Sequence, residues 1–212
     1  MLKLKKALLI ADPQIDFCPG GALGIKDGDK IISVVNAYIR KFAAQELPIF
    51  ITRDWHPQKT KHFKVYGGVW PRHCVHDTKG AAFHPGLKFP KETIILSKGM
   101  DPAKDSYSAF HAYDHNHKEL HHLLQIFGVT ELYVGGLATD YCVKHSALDA
   151  LKYGYKVHVL LDATKGVNLK PWDSEDAVRE MVAAGAKTMT LADMTPARKR
   201  PPRQAKNKRP GH

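Results

Sequence analysis

The sequence predicts a single α/β domain, in which a six-stranded, mostly parallel sheet lies between two layers of helices. Three observations lead to this prediction. Six short apolar runs recur along the chain, amphipathic segments separate them, and the runs are rich in Ile, Leu and Val without strict alternation. Runs of this kind are typical of parallel strands covered on both faces. A chain of 212 residues, 43% of them hydrophobic, is long enough for one substantial core.

The predicted strands are short and follow one another at wide intervals. In chain order they are Ala7–Ala11, Pro48–Thr52, Thr93–Ser97, Glu131–Gly135, Lys156–Leu161 and Thr188–Ala192. Between them, three segments have helical spacing or helix-start signals: Asp29–Ala44, Asp140–Tyr153 and Ser174–Ala184. This alternation implies a parallel sheet with helices on both faces. The segment from Trp55 to Glu92 has no clear helix, and a loop of that length is usually functional.

Neither a signal peptide nor a membrane span is expected. The apolar core of the first strand, Ala7–Ala11, is about five residues long, below the ~7–15 of a signal peptide. No apolar run approaches the roughly 18 residues that cross a bilayer. Three cysteines form no paired framework, as in proteins of reducing compartments. We therefore expect a cytoplasmic protein.

The net charge of +11 is concentrated at the C-terminus. The tail from Pro196 to His212 carries seven Lys and Arg residues and no acid, which leaves +4 on the rest. Its Pro-rich, basic composition predicts disorder, so we divide the chain into a domain at 1–195 and a tail at 196–212. A basic tail can bind nucleic acid or an acidic surface, although a solvated extension without a partner is the simpler interpretation.

Reactive side chains fall at the carboxyl ends of four predicted strands. Asp12 follows the first strand, Asp54 and His56 the second, Lys98 the third, and Cys142 follows the fourth across a glycine turn. Ligands of open parallel sheets bind beyond these strand ends. A carboxylate, a pair of metal-ligand types, an amine and a thiol therefore point to one site.

Cys142 is the candidate nucleophile. A helix N-terminus and a nearby cation such as Lys98 lower a thiol pKa, and the Gly135-Gly136 turn leaves backbone N–H groups for an oxyanion. An inert buried cysteine is the alternative. A carboxylate near the thiol can accept its proton and return it to a leaving amine. Asp12 and Asp16 both qualify, and their spacing does not choose between them.

Asp54 and His56 are candidate metal ligands, because side chains two apart on an extended segment face the same side. A third ligand would come from the long loop, in which the candidates are His62, His73, His76 and His84. Two imidazoles and a carboxylate suit Zn²⁺ or Fe²⁺ with open positions. The competing interpretation is that both are ordinary loop residues, whose polar groups form hydrogen bonds within the protein and bind no metal.

Five segments, in order, carry a family resemblance: ADPQIDFCPGGALGI, RDWHP, WPRHCVHDTKGAAFHP, SKGMDPAKDSYSAF and VGGLATDYCVKHSALDA. They resemble the nicotinamidases, also called pyrazinamidases, of the isochorismatase-like cysteine hydrolases, which have a Rossmann-like three-layer fold. The resemblance implies a catalytic triad of Cys142, Asp12 and Lys98, which chooses Asp12 over Asp16.

The resemblance also implies the remaining site residues. The metal ligands would be Asp54, His56 and His73. His62 resembles a further ligand of some members, and whether it binds the metal in this chain stays open. Two aromatic walls, Phe17 and Trp70, would hold a pyridine ring. A cis peptide bond would lie at Leu137–Ala138, so that the N–H groups of Ala138 and Cys142 face the oxyanion.

The implied activity is hydrolysis of nicotinamide, and of pyrazinamide, to the acid and ammonia through a cysteine thioester, in NAD salvage. One divalent metal ion would take part, with Zn²⁺ favoured and Fe²⁺ or Mn²⁺ also fitting. The partner would be the small-molecule substrate rather than a membrane, and a homo-oligomer is possible. Two alternatives stay open: a related metal-assisted amidase for another small amide, and a nucleic-acid-binding protein that uses the tail and has a vestigial site.

Overall fold

A computed structural model of the chain describes residues 5–194, and at its centre is a six-stranded sheet. The strands are β1 (Lys5–Ala11), β2 (Ile49–Asp54), β3 (Ile94–Lys98), β4 (Val129–Leu137), β5 (Lys156–Lys165) and β6 (Lys187–Met189). All neighbouring strands pair in parallel. The predicted fold class is therefore confirmed, and each predicted run overlaps one strand. The tail at 196–212 and the domain boundary at 195 lie outside the described residues.

Four helices cover the sheet: α1 (Ile31–Ala43), α2 (Leu120–Ile126), α3 (Lys144–Lys152) and α4 (Asp173–Ala183). The sequence patterns predicted three of them and missed α2, a helix of seven residues that buries three leucines. The predicted start of the last helix, with Ser174 as its capping residue, is wrong, because α4 begins at Asp173 and Ser174 lies inside its first turn. None of the helices within residues 5–194 is long and apolar enough to cross a bilayer.

The two faces of the sheet carry separate hydrophobic cores. Alternate residues of β1 point to opposite faces, as the period of two requires. Leu8 and Ile10 belong to the core under α1. Leu9 belongs to the core on the other face, which includes the buried sides of α2, α3 and α4. This gives the three layers that the sequence predicts, and it explains why the strand segments lack strict polar alternation.

The strand order places the ends of β1 and β4 side by side. Across the sheet the order is β3-β2-β1-β4-β5-β6, so the direction of progression reverses between β1 and β4. In open α/β sheets, ligands bind at such a reversal, beyond the carboxyl ends of the strands. The last paired residues are Ala11 and Gly136. The segments that follow them therefore start as neighbours at this edge.

Gly136 is needed because the two strands approach closely there. Its φ is +113°, and a Cβ would lie 2.5 Å from the Ala11 nitrogen and 2.8 Å from the Ala11 carbonyl carbon. Gly154 also has a positive φ, +84°, but a Cβ there would meet no heavy atom within 4 Å. The two positions therefore separate the effect of backbone conformation from the effect of crowding.

We expect Gly154→Ala to cost about 1 kcal/mol, the ordinary penalty of a positive φ. Gly136→Ala should cost roughly 1–3 kcal/mol beyond that, because strand backbone must also move. Equilibrium unfolding in urea of both variants and the parent protein measures the difference. Equal losses of unfolding free energy would show that the β1–β4 contact does not demand glycine.

Candidate active site

Lys98 lies at the centre of a buried cluster of polar groups. It is the last residue of β3 and is only 1% exposed. Its Nζ lies 2.9 Å from Asp12 Oδ2 and 3.5 Å from Cys142 Sγ, and it also forms an ion pair with Asp54 Oδ1. The structure therefore brings together one residue from the carboxyl end of each of four adjacent strands, β1 to β4.

Asp12 is fully buried directly after β1, with a φ of +46°. The Thr52 hydroxyl donates to its Oδ1 at 2.7 Å, and the Asp12 N–H donates to Thr52 Oγ1 at 3.3 Å. Burial raises the pKa of Asp12, although the nearby Lys98 ammonium opposes the shift. Within residues 5–194, Oδ2 has no well-aligned hydrogen-bond donor, and the Lys98 ammonium lies beside it. A carboxyl group whose pKa is raised by burial is suited to gain and lose a proton.

Cys142 lies in a π-helical turn, Thr139–Val143, which leads into α3. The expected lowering of its pKa is wrong. Burial raises the pKa of the thiol well above its usual value and outweighs the Lys98 ammonium, and the Asp12 and Asp54 carboxylates raise it further. The resting thiol is therefore protonated and needs a base. Potential ligand atoms of Cys142, Asp12 and Asp54 all lie within 4.8 Å of one another, so a base is at hand.

Asp16, the second candidate base, has a different set of contacts. Its Oδ2 accepts the Cys74 N–H at 2.7 Å, and its Oδ1 accepts the Ala22 N–H at 3.2 Å. The first of these bonds joins the segment after β1 to the long loop between β2 and β3, and the second lies within the segment itself. Sequence spacing did not choose between Asp12 and Asp16, and the family resemblance implied Asp12. Of these two carboxylates, the geometry places Asp12 in contact with Lys98.

Next to this cluster, three histidines of the long loop converge. Ring nitrogens of His56, His62 and His73 lie within 4.8 Å of one another. His56 Nδ1 donates to the Gly99 carbonyl at 3.0 Å, and His73 Nδ1 donates to the Pro71 carbonyl at 2.8 Å. Because these bonds use the Nδ1 atoms, both Nε2 atoms face inward, 3.7 and 4.0 Å from Asp54 Oδ2.

The donor set of this cluster fits a divalent metal ion. His56 Nε2 is buried and has no hydrogen-bond partner within the described residues. Burial lowers the pKa of His73 to about 4, which keeps the ring neutral as a ligand requires. Burial alone would raise the pKa of Asp54, but Lys98 and His56 hold it below its usual range, so the carboxylate stays ionised. Two imidazoles and a carboxylate are a common zinc set.

The other loop histidines differ in position. His62 belongs to the cluster, and its Nδ1 lies 2.5 Å from Asp105 Oδ1, which leaves Nε2 toward the other rings. His76 is paired with the neighbouring Asp77, and His84 Nδ1 accepts the Gly86 N–H at 3.1 Å. Among the candidates for the third ligand, the structure therefore brings His62 and His73 to the site.

Gln14 is a site residue that the sequence reasoning did not single out. Its Nε2 donates to the carbonyls of Asp54 and Ala81 at 2.8 Å each, and its Oε1 accepts the Asp54 N–H at 2.7 Å. The side chain thus fixes the backbone of a metal-ligand candidate from both sides. Its position two residues after Asp12 in the D-x-Q pattern was the available signal.

A small pocket opens above the thiol and the histidines. It is lined by Phe17, Leu23, Asp54, His62, Trp70, His73, Tyr107, Ala138, Tyr141, Cys142 and Val167. The two predicted aromatic walls are therefore present, and Trp70 Nε1–H donates to the Tyr107 hydroxyl at 2.9 Å. The sequence reasoning missed Leu23, Tyr107, Tyr141 and Val167, because they come from four separate segments. The Leu137–Ala138 bond is cis, at the position that the resemblance implied.

Known proteins show the same architecture. The chain matches the family model of the Isochorismatase domain over residues 6–193. A nicotinamidase of Escherichia coli (strain K12) is 41% identical, covering 89% of this chain and 96% of that protein. A pyrazinamidase of Pyrococcus horikoshii in complex with zinc is 45% identical with a TM-score of 0.82, covering 88% and 99% of the two chains. PnC1 from L. infantum in complex with nicotinate is 34% identical with a TM-score of 0.78, covering 89% and 93%.

We expect His56→Ala and His73→Ala each to weaken divalent metal binding by about tenfold or more, because each removes an inward Nε2 donor. His76→Ala should bind metal like the parent protein, since its ring contacts Asp77. Competition with a chromophoric chelator, using Zn²⁺, measures the affinities without reference to activity. Parent-like affinity in both of the first two variants would place the metal elsewhere.

Proposed function

This chain belongs to the isochorismatase family, on its nicotinamidase branch, and we propose that it hydrolyses nicotinamide to nicotinate and ammonia through a thioester on Cys142. One observation carries the proposal. The thiol, the Asp12 carboxylate and the Lys98 ammonium form one buried cluster, and Cys142 lines a pocket with aromatic walls. A nucleophile that is protonated at rest, a base beside it and a fixed positive charge are the parts that amide cleavage requires.

The first half of the reaction forms the thioester. Asp12 Oδ2 takes the thiol proton, and the Cys142 sulfur forms a bond to the carboxamide carbon. The charge that develops on the carboxamide oxygen is held by the backbone N–H groups of Ala138 and Cys142, in the manner of an oxyanion hole. Asp12 then returns the proton to the leaving nitrogen as the C–N bond breaks, and ammonia departs.

The second half releases the acid. Water enters the place of ammonia, Asp12 takes one of its protons, and the oxygen attacks the thioester carbon. As the C–S bond breaks, Asp12 returns that proton to the sulfur, and the product leaves as the acid and loses its own proton to solvent as nicotinate. Throughout, Lys98 keeps its charge, because the two carboxylates raise its pKa well above the usual value even though burial opposes this.

The substrate class follows from the walls of the pocket. A flat ring fits between Phe17 and Trp70, and aromatic walls contribute through offset or edge-on contacts. Pyrazinamide has the same outline and is expected to be a second substrate. A divalent ion held by Asp54, His56 and His73 would supply a Lewis-acid contact to the ring nitrogen; Zn²⁺ is favoured, and Fe²⁺ or Mn²⁺ also fit these ligand types.

We place the reaction in NAD salvage, because nicotinate, the proposed product, is a precursor of the dinucleotide. A cytoplasmic location agrees with the three cysteines, all of them buried and free.

A related amidase for another small amide would use the same cluster, so a substrate panel separates the two functions. Ammonia release from nicotinamide, pyrazinamide, benzamide and an aliphatic amide, with and without chelator, is the direct test.

We expect Cys142→Ala to abolish ammonia release from nicotinamide, because no other group in the pocket replaces the sulfur as nucleophile. Cys18→Ala is the matched control, since Cys18 is also a buried, free cysteine but is outside the pocket. Mass spectrometry of acid-quenched parent protein should detect a nicotinoyl adduct on Cys142. Normal turnover in Cys142→Ala would refute the thioester route.

Thr52→Val should move the acid limb of the kcat/KM profile to higher pH. The Thr52 hydroxyl bond lowers the pKa of Asp12, so its loss raises that pKa further and protonates the base at a higher pH. The measurement is the pH dependence of nicotinamide hydrolysis in both proteins, with Ser33→Ala as the control for loss of an exposed hydroxyl. An unchanged limb, or one moved to lower pH, would mean that Asp12 is not the titrating base.

A further inference from the structure

Asp140 is a buried carboxylate that the proposed chemistry does not use. It lies two residues before Cys142 in the same π-helical turn and is 6% exposed. Its Oδ1 accepts the Val167 N–H at 2.9 Å, and its Oδ2 accepts the Asn168 N–H at 2.7 Å. Within residues 5–194 it forms no ion pair with Lys, Arg or His at 4.0 Å or less. A buried charge is costly unless it is well hydrogen-bonded, so these two bonds are important.

The two N–H groups belong to the segment 166–172, which connects β5 to α4. Val167 is a wall of the pocket, together with Ala138 and Cys142. Asn168 has a φ of +52°, and its Oδ1 accepts the Ser174 N–H at 2.9 Å. Val167 and Asn168 are thus held by the Asp140 carboxylate, and Asn168 also contacts the first turn of α4.

Close packing keeps the segment against the carboxylate. A Cβ on Gly166 would lie 3.1 Å from Asp140 Oδ1 and would also collide with Ser174 Oγ. The end of β5 has separate support, because Thr164 Oγ1 donates to the Gly136 carbonyl at 2.8 Å and lies 2.8 Å from Thr139 Oγ1. Loss of the Asp140 bonds should therefore loosen the segment at Val167 and Asn168 and leave the sheet in place.

We propose that Asp140 is a positioning residue, which fixes Val167 as a wall of the pocket and so sets the room available to substituents on the substrate ring. The inference rests on the proposed function for its substrate class. It assigns to the residue before Tyr141 a part in specificity rather than in proton transfer. It also links the turn that carries the nucleophile to the Val167 wall of the pocket, through two charge-assisted bonds.

The first test measures the bonds themselves and needs no activity. In Asp140→Asn the amide group can accept only one N–H and presents its own NH₂ to the other. We expect hydrogen exchange of the amides at 167 and 168 to become about tenfold faster, because this factor corresponds to the free energy of one charge-assisted hydrogen bond. Asp193→Asn is the control, because Asp193 is an exposed carboxylate that accepts the Thr190 N–H at 2.7 Å. Unchanged exchange in Asp140→Asn would overturn the proposal.

The second test measures specificity. Val167→Ala should improve kcat/KM for ring-methylated nicotinamides relative to nicotinamide by about tenfold, the value of one methyl-sized space. Asp140→Asn should change this ratio in the same direction and raise KM for nicotinamide more than it lowers kcat. In the double variant the two effects on the ratio should not add, since both act through one wall.

The outcomes distinguish this inference from the proposed function. If the parent protein released no ammonia from nicotinamide, the function would fail while the exchange experiment still tested the bonds. If Asp140→Asn lowered kcat equally for all amides and left the ratio unchanged, Asp140 would act through the Cys142 turn, and the proposed role would be wrong. Additive effects in the double variant would also refute it.

Discussion

The site depends on one buried ammonium. Lys98 contacts two carboxylates and a thiol at the ends of three other strands, and none of these groups is appreciably exposed. Removing charges from water costs free energy. The attraction within an ion cluster offsets that cost only when its geometry is good and its members stay together. Removal of the ammonium would leave Asp12 and Asp54 as like charges within 4.8 Å of each other. The ammonium therefore holds together the ends of β1, β2 and β4 around itself.

The two carboxylates around this ammonium have different environments. Asp54 lies beside Lys98 and the histidines, and its pKa is held below the usual range; that of Asp12 is raised by burial. One carboxylate thus stays ionised as a metal ligand requires, and the other can gain and lose a proton. Two carboxyl groups with pKa values displaced in opposite directions are the usual sign of such a division of roles.

A second constraint is the chain segment 99–107 after β3, which holds the long histidine loop. Its carbonyls and side chains accept hydrogen bonds from four places in that loop: His56 to Gly99, Lys61 to Pro102, His62 to Asp105, and Trp70 to Tyr107. A loop of this length is costly to order. These bonds orient the imidazoles and one aromatic wall together, which links the metal-ligand candidates to the ring-binding surface.

The sequence by itself determined the sheet, because parallel strands that are buried on both faces need continuous apolar runs. It also determined which reactive residues share an edge, because the carboxyl ends of parallel strands lie at the same edge of the sheet. Only the tertiary structure decided how those residues behave. The resting thiol of Cys142 is protonated because burial outweighs the lysine, and burial is set by segments far apart in the chain. The choice of Asp12 over Asp16 by contact, and the walls at Tyr107 and Val167, likewise depend on long-range packing that no local pattern contains.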